Sequence, residues 1–219
     1  AYEWIHIDNP ERLLDMKFDV IISNPPYQLD DGGNGASAKP IYHRFIEQAE
    51  KLNPRYLTMI IPARWYAGGK GLDNFRKSML NDTQISHLVD FVNAKDCFPG
   101  ISIGGGVCYF LKTKGYKGKC HYTNIHDGHV SKKMRDLNEF EVFIRYNEAI
   151  SIIEKVKEYN ENCFACHVGT RNPYGLSSSA RGKKEKGEIA LYSSDGISYI
   201  EKSQIKQGHD TIKKYKVMI

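Results

Sequence analysis

The sequence lacks any run of about 18 apolar residues, the shortest that crosses a bilayer as a helix. It therefore predicts no membrane-spanning helix and no membrane partner. The first residues, Ala1 to Trp4, do not have the character of a secretory signal peptide. Cysteine is scarce and its count of five is odd, which is typical of a reducing compartment rather than of a disulfide framework.

Several catalytic and metal-binding patterns are also missing. The glycines from Gly68 to Gly71 lack the spacing of a phosphate-binding loop, and no Ser–His–Asp triad or pair of catalytic carboxylates can be argued from spacing. Cys163, Cys166 and His167 have the spacing of half a zinc site, but no second pair of ligands accompanies them. We therefore expect no metal site.

The chain of 219 residues is 41% hydrophobic and 26% charged, enough for one core and part of a second domain. Strand-like and helix-like segments alternate as far as a polar stretch near Asn160, beyond which glycine, serine and lysine dominate. The net charge is +5, and basic residues concentrate from Lys112 onwards. This asymmetry suits a chain that contacts a polyanion, although a mildly basic chain needs no such partner.

One stretch, from Phe18 to Tyr27, is the centre of the functional prediction. Its apolar, β-prone residues run into two consecutive prolines, which cannot extend a ladder because they lack an N–H. We therefore expect a buried strand that stops abruptly and presents Asn24, the Pro25 carbonyl and the Tyr27 ring at its carboxyl end. In open α/β sheets, ligands bind at that edge.

Asn24 and the Pro25 carbonyl offer two acceptors for the two hydrogens of an exocyclic amine, and accepting both makes the nitrogen a better nucleophile. The Tyr27 ring can stack on the planar group that carries the amine, a contact worth roughly 1–3 kcal/mol when that group is a base. The alternative is that Asn-Pro-Pro-Tyr forms only a rigid turn. The polar residues 28–39 that follow suit either a mobile lid or a plain linker.

The motif (Asn/Asp/Ser)-Pro-Pro-(Tyr/Phe/Trp) resembles that of amino-methyltransferases that use S-adenosylmethionine, and the likeness extends well beyond residues 24–27. Asp8 precedes Asn24 by sixteen positions, where adenine-N6 DNA methyltransferases of restriction–modification systems carry an acidic residue near the cofactor. The segment 60–65 resembles the next strand of that family and its exit. Residues 97–100, and the strand that begins near Gly106, resemble the segment whose phenylalanine packs on the flipped adenine.

The resemblance implies an α/β fold: the back half of a Rossmann-like methyltransferase sheet, of mixed strand direction, with a terminal antiparallel hairpin. Residues 1–160 would form this catalytic part, and residues 161–219 the truncated start of a mainly β target-recognition domain. Residues 115–118 mark a hairpin turn whose return strand, 119–125, follows the strand 107–112. The family also implies a prokaryotic cytoplasm.

The roles implied by the resemblance centre on the motif. Asn24 and the Pro25 carbonyl would bind the amine of adenine, with Pro26 completing the stiff corner. Tyr27 and Phe98 would stack on the extruded base. Asp8, with Asn24, would help to seat S-adenosylmethionine. Contacts to the phosphates of double-stranded DNA would come from the basic residues Arg171, Arg181, Lys183 and Lys184.

One departure from the family is large. The Gly-x-Gly turn that holds the cofactor should lie upstream of Asp8, and the sequence does not contain it. We therefore expect an incomplete enzyme whose partner is the missing N-terminal half or an associated nuclease. Two alternatives stay open: a DNA-binding or specificity fragment without catalysis, and a methyltransferase of ribosomal RNA or of a release-factor glutamine.

Overall fold

The computed structural model describes residues 3–14, 17–29, 39–69, 71–161, 164–169 and 172–215. The chain divides into two compact units, Ala1–Tyr159 and Asn160–Ile219.

The first unit contains six strands and four α-helices among its described residues. The strands are β1 (Val20–Ser23), β2 (Tyr56–Pro62), β3 (Ile85–Phe91), β4 (Val107–Thr113), β5 (Cys120–His126) and β6 (His129–Arg135). The helices are α1 (Pro10–Leu14), α2 (Tyr42–Lys51), α3 (Asp73–Asn81) and α4 (Asn147–Glu158). Short 3-10 helices cover Glu3–His6, Ala63–Tyr66 and Ala94–Asp96.

The six strands form one mixed sheet in the order β1-β2-β4-β3-β5-β6. Strand β1 is parallel to β2 and β3 is parallel to β5, whereas β4 runs antiparallel to both of its neighbours. Strands β5 and β6 form the terminal antiparallel hairpin. Its tight turn uses Asp127 and Gly128, both at positive φ, which matches the twist of a two-residue hairpin. The predicted fold class is confirmed.

The predicted pairing of residues 119–125 is wrong in one respect. We expected this segment to return beside β4, but β5 pairs with β3, with His87 opposite His121. Strand β4 already has β2 on one side and β3 on the other, so neither of its edges is open to a third strand. The hairpin therefore forms one strand later, between β5 and β6.

The two faces of the sheet differ in burial. One face carries the core, including Leu57, Met59, Ile61, Leu88, Phe110 and Tyr122, and packs against α2 and α3. Side chains on the other face are accessible to solvent. Ile22, for example, is 76% exposed and Tyr109 is 39% exposed. The strand register places these two residues on the same face. Ile22 pairs with Thr58, and Thr58 pairs with Leu111. Leu111 and Tyr109 are two positions apart on β4 and therefore point the same way.

The first strand is therefore not the buried strand that the sequence predicted. It is the outermost strand of the sheet. Val20 and Ile22 both point to the open face, where Val20 is 50% exposed. A strand with apolar residues on both faces is fully buried only when both faces are covered by other elements. The described residues cover only one face of β1.

Two local patterns are misleading. The alternation of Ile5 and Ile7 around His6 is typical of a strand end, but Glu3–His6 is a 3-10 helix whose Ile5 packs against Ile41 and Phe45. The spacing of Ile150, Ile153 and Val156 is typical of an inward helix face. In α4 only Ile150 and Asn147 are buried, and Val156 is 64% exposed, because the helix contacts the sheet through its first turns.

The second unit contains the antiparallel hairpin of β7 (Ile189–Ser193) and β8 (Gly196–Ile200). Short 3-10 helices cover Phe164–His167, Lys202–Gln204 and His209–Thr211. Its small core includes Ile200 and Ile205. The strand predicted for residues 215–219 lies almost wholly outside the described residues. None of the helices described in either unit is long and apolar enough to cross a membrane.

Candidate active site at the carboxyl edge of the sheet

Four strands bring their ends together at one edge of the sheet. Strands β1, β2 and β3 end there and β4 begins there, as their mutual directions require. The Ala63 N–H, just after β2, donates to the Gly106 carbonyl just before β4 at 3.0 Å. The segments that follow β1, β2 and β3 therefore meet at this edge, where ligands bind in open α/β sheets.

The Asn-Pro-Pro-Tyr motif follows β1 directly. Asn24 is exposed, Pro25 is buried and Pro26 is exposed. Neither proline can donate to a ladder, so the pairing of β1 with β2 stops at Ser23 and Met59. The result is a fixed corner that presents the carboxamide of Asn24 to solvent.

Tyr27 packs its ring partly into the core while leaving some of the ring accessible. Its hydroxyl is buried and has no hydrogen-bond partner among the described residues. Burial raises the pKa of Tyr27, and the nearby thiols of Cys97 and Cys108 raise it further. The phenol therefore stays neutral at physiological pH, and Tyr27 offers a half-covered aromatic surface rather than an acid or a base.

The backbone beyond Tyr27 is tied to the start of α2. The Ile41 N–H donates to the Tyr27 carbonyl at 3.1 Å, and Gln28 forms an isolated antiparallel bridge with Pro40. These bonds close the base of the loop that we interpreted as a lid or linker. Residues 30–38 of that loop lie outside the described residues.

Phe98 lies in the segment that connects β3 to β4. Its N–H donates to the Ala94 carbonyl at 2.8 Å, and its own carbonyl accepts from the Ile101 N–H at 3.1 Å. Phe98 is half-buried, and no ring contact joins it to Tyr27 among the described residues. The Cys97 thiol, next to Phe98 in sequence, contributes to the raised pKa of Tyr27.

Three consecutive glycines end the Phe98 segment because the chain passes close to other groups there. A Cβ on Gly106 would lie 2.1 Å from the Phe91 carbonyl oxygen, and one on Gly104 would lie 2.8 Å from the Arg64 guanidinium. Gly105 and Gly106 also have φ of 89° and 78°. The sequence favoured close backbone approach over a ligand site for these glycines, and the contacts agree with that preference.

A buried polar cluster beneath this edge was missed by the sequence reasoning. Asp90 on β3 is 0% exposed and accepts from Tyr122, Asn124 and Arg145 at 2.6 to 3.0 Å. Burial, followed by the charge of Asp90, raises the pKa of Tyr122, so its hydroxyl stays protonated and donates. The available signal was Asp90, the one carboxylate of β3, between the apolar residues Val89 and Phe91; a buried carboxylate is tolerated only when it is paired.

Asp8 is exposed and lies near the far end of α2 from the motif. Its carbonyl accepts from the Lys51 ammonium at 3.3 Å, and the Gln48 amide donates to the Ile7 carbonyl at 2.7 Å. Ile41, next to the first residue of α2, bonds to Tyr27, whereas the contacts of Ile7 and Asp8 are with Gln48 and Lys51 in the last turns of this helix. The predicted contact of Asp8 with the cofactor stays a prediction.

The basic residues predicted to contact DNA all belong to the second unit. Arg181 is exposed, but its guanidinium already makes hydrogen bonds within the second unit. Its Nε donates to Asp195 at 2.6 Å, and its Nη1 donates to the Ala180 carbonyl. Lys183 and Lys184 are exposed, and the backbone of Lys183 bridges to Tyr199. Arg171 lies outside the described residues.

The described residues contain no group of three side chains able to hold a metal ion. Cys163, the first residue of the partial zinc pattern, lies outside them, and nothing is described of the Cys166 side chain.

A mixed α/β sheet with Asn-Pro-Pro-Tyr at its carboxyl edge has the features of the amino-methyltransferase class. Residues 1–98 match the family model of the Eco57I restriction-modification methylase. The chain is also 41% identical over 129 residues to an uncharacterised adenine-specific methylase of Mycoplasma pneumoniae, covering 54% of this chain and 31% of that relative. These matches confirm the resemblance to methyltransferases of restriction–modification systems.

Two solved structures are similar to parts of this chain. One is a type I restriction–modification methyltransferase subunit from Streptococcus thermophilus (TM-score 0.39, 16% identity, 73% of this chain and 35% of that chain). Another is the type IIG restriction endonuclease BpuSI (TM-score 0.44, 15% identity, 75% of this chain and 24% of that chain). The chain thus spans about a third or less of the length of these relatives, with 31%, 35% and 24% of each covered.

Proposed function

We propose that this chain is the amine-binding part of an adenine-N6 DNA methyltransferase of a restriction–modification system. The observation that carries the proposal is the exposed carboxamide of Asn24 at the proline corner after β1, next to the half-covered ring of Tyr27. The segment that holds Phe98 returns to the same edge of the sheet. Together these groups offer hydrogen-bond acceptors and aromatic surfaces for a planar ring that bears an NH₂ group.

In this mechanism the chain acts mainly by positioning. Asn24 Oδ1 and the Pro25 carbonyl accept the two hydrogens of the adenine amine, so that the nitrogen lone pair leaves conjugation and points towards the methyl donor. Tyr27 and Phe98 hold the base that has been turned out of the duplex, at a cost of a few kcal/mol for unstacking. S-adenosylmethionine, when bound, would supply the electrophilic methyl group of its sulfonium.

The described residues fit only the amine-facing side of such a reaction. Asp8 contacts Lys51 at the end of α2 rather than the motif, and β1 has no further strand on its outer side among the described residues. We propose that an N-terminal half of the polypeptide pairs with β1, covers the exposed Val20 and Ile22, and holds most of the cofactor. The larger size of the relatives supports this proposal.

The remaining partners follow from the same proposal. The second unit, with Lys183 and Lys184 exposed, would begin a domain that contacts the phosphates of double-stranded DNA in the prokaryotic cytoplasm. A nuclease would act with the complete enzyme, as restriction–modification systems require.

The test is methylation of duplex DNA by the polypeptide extended to the length of its relatives, with Asn24→Ala compared against Asn138→Ala. Asn138 is exposed and bonds Asn81, far from the corner in sequence. We expect Asn24→Ala to lower turnover roughly a hundredfold or more, by analogy with the loss of one positioned polar group, while DNA binding stays within a few-fold. Turnover within tenfold of the parent would show that Asn24 does not have this role.

A second candidate is a DNA-binding or specificity fragment without catalysis, which the incomplete cofactor side favours. Calorimetric titration of the extended protein with S-adenosylmethionine separates the two. Micromolar binding would contradict the hypothesis of a fragment without catalysis, and no binding would support it. If the extended protein methylates ribosomal RNA or a release-factor glutamine but not duplex DNA, the chain is part of an amino-methyltransferase but the proposed DNA substrate is wrong.

A further inference from the structure

Two arginines hold the end of the Phe98 segment by its backbone. The Arg64 Nε donates to the Gly104 carbonyl at 2.8 Å, and the Arg145 Nη1 donates to the Gly105 carbonyl at 2.8 Å. Arg64 belongs to the 3-10 helix after β2, and Arg145 precedes α4. Successive carbonyls of one loop are thus bound by side chains from two distant parts of the chain.

Arg145 is itself fixed in place. Its Nη2 donates to Asp90 Oδ1 at 2.6 Å and its Nε donates to Asp90 Oδ2 at 2.8 Å. Tyr122 and Asn124 each donate to the same carboxylate at 3.0 Å. The carboxylate is fully buried, so the orientation of the guanidinium is set from below by groups that water does not reach.

The remaining guanidinium nitrogen, Nη1, is therefore held in the orientation that binds the Gly105 carbonyl. Both ends of the segment from Val92 to Gly106 are anchored: the Val92 N–H donates to the Ile125 carbonyl at 3.0 Å, and Gly106 bonds Ala63. Phe98 lies between these anchors.

We propose that Arg145, oriented by Asp90, is a positioning residue that keeps Phe98 at the distance from Tyr27 needed to hold a base. The proposal rests on the function proposed above. Arg145 does not touch the base in this arrangement; it acts through the Gly105 carbonyl. Arg64 performs the same task at Gly104 from the other side.

The first test is hydrogen exchange of the full 219-residue chain, which requires neither cofactor nor DNA. Arg145→Lys keeps the charge but cannot bind both oxygens of Asp90 and the Gly105 carbonyl together, because an ammonium lacks the planar fork. We expect amides in residues 97–106 to exchange at least tenfold faster, with β2 unchanged. The matched control is Arg76→Lys, which alters an arginine–aspartate pair on α3.

Unchanged exchange in residues 97–106 would overturn the proposal. If Arg145→Lys fails to fold, Arg64→Met removes the second contact from an exposed side chain, and the same local increase is expected. An increase spread over the whole sheet in Arg64→Met would also overturn it, since the effect would then be a general loss of stability.

The second test uses the extended protein with two duplexes: one with adenine at the target position, which measures methylation, and one with 2-aminopurine there, which reports base extrusion by fluorescence. Arg145→Lys should lower kcat at least tenfold and alter the fluorescence of the bound, extruded base, while the KM for DNA changes less than threefold. Normal kcat and fluorescence would contradict the positioning role even if the loop exchanges faster. If the parent protein methylates no DNA, the proposed function fails, whereas the exchange experiment still decides whether Arg145 holds the loop.

Discussion

A Cβ atom on Gly106 would lie 2.1 Å from the carbonyl oxygen of Phe91 and 2.5 Å from that of Val92. The two oxygens belong to the end of β3 and the first residue beyond it, so the clash would be with backbone that is already paired in the sheet. The segment that carries Phe98 leaves and re-enters the sheet at this single point of contact.

The first prediction is that Gly106→Ala unfolds or strongly destabilises the first unit, whereas Gly115→Ala does not. Both glycines have φ of 78°, so both variants incur the left-handed strain of about 1–2 kcal/mol. Only Gly106 adds a backbone clash, since a Cβ on Gly115 meets nothing within 4 Å. Urea denaturation should separate the two midpoints clearly. Equal losses would mean that the loop can shift away from β3.

Much of the first unit could be predicted from local patterns. The apolar residues of β2, β3, β4, α2 and α3 recur with the period of the element that each segment forms. What local pattern could not supply was pairing. The strand 120–126 has a clear alternation, but its partner is chosen by which edge of the sheet is vacant, and that depends on β4 lying between β2 and β3.

The candidate site shows the same division. Asn24 and Tyr27 stood out because two prolines fix their surroundings whatever the rest of the chain does. Asp90 and Arg145 are 55 positions apart, and only the folded sheet brings them together. The burial of β1 was wrong for a similar reason: a run of apolar residues does not show which of its faces another element covers.

The second prediction concerns Tyr27. Its buried hydroxyl has no partner among the described residues, so Tyr27→Phe should leave stability equal or slightly higher and preserve methylation by the extended protein. Tyr27→Ala removes the ring and should weaken capture of the extruded base by roughly 1–3 kcal/mol. Binding of duplexes containing an abasic site opposite the target would measure the difference. Loss of activity in Tyr27→Phe would instead assign a role to the hydroxyl.

The third prediction is a pH dependence that originates in His87. Its ring stacks on that of His121 with centroids 4.8 Å apart, and its Nδ1 lies 3.1 Å from the Ser86 hydroxyl. Desolvation, followed by the neighbouring His121, lowers the pKa of His87 from its ordinary value of 6.5. The unfolded chain therefore binds a proton more readily than the folded chain, so stability falls as the pH drops below 6.5.

The measurement is the thermal midpoint of the chain between pH 7.5 and 5.5, a range of about two units around the ordinary histidine pKa. His87→Gln should flatten part of the decline, and His121→Gln should do the same because it removes the neighbouring ring. His43 has a pKa lowered mainly by burial, so some decline should remain in both variants. His129→Gln, on the exposed hairpin turn, is the control. A slope identical to that of the parent in His87→Gln would contradict the assignment.

The last prediction tests whether another part of the polypeptide covers the open face of β1. Ile22 is 76% exposed, whereas Ile61 on the neighbouring strand is 0% exposed and faces α2 and α3. In the isolated chain, Ile22→Thr should change the free energy of unfolding by less than about 0.5 kcal/mol, as for surface substitutions in general. In the extended protein it should cost about 1–2 kcal/mol, because a buried apolar side chain is then lost. Ile61→Thr should be costly in both, since its face is covered in either case. If Ile22→Thr costs the same small amount in the isolated and the extended protein, no segment covers this face and the proposed N-terminal half must lie elsewhere.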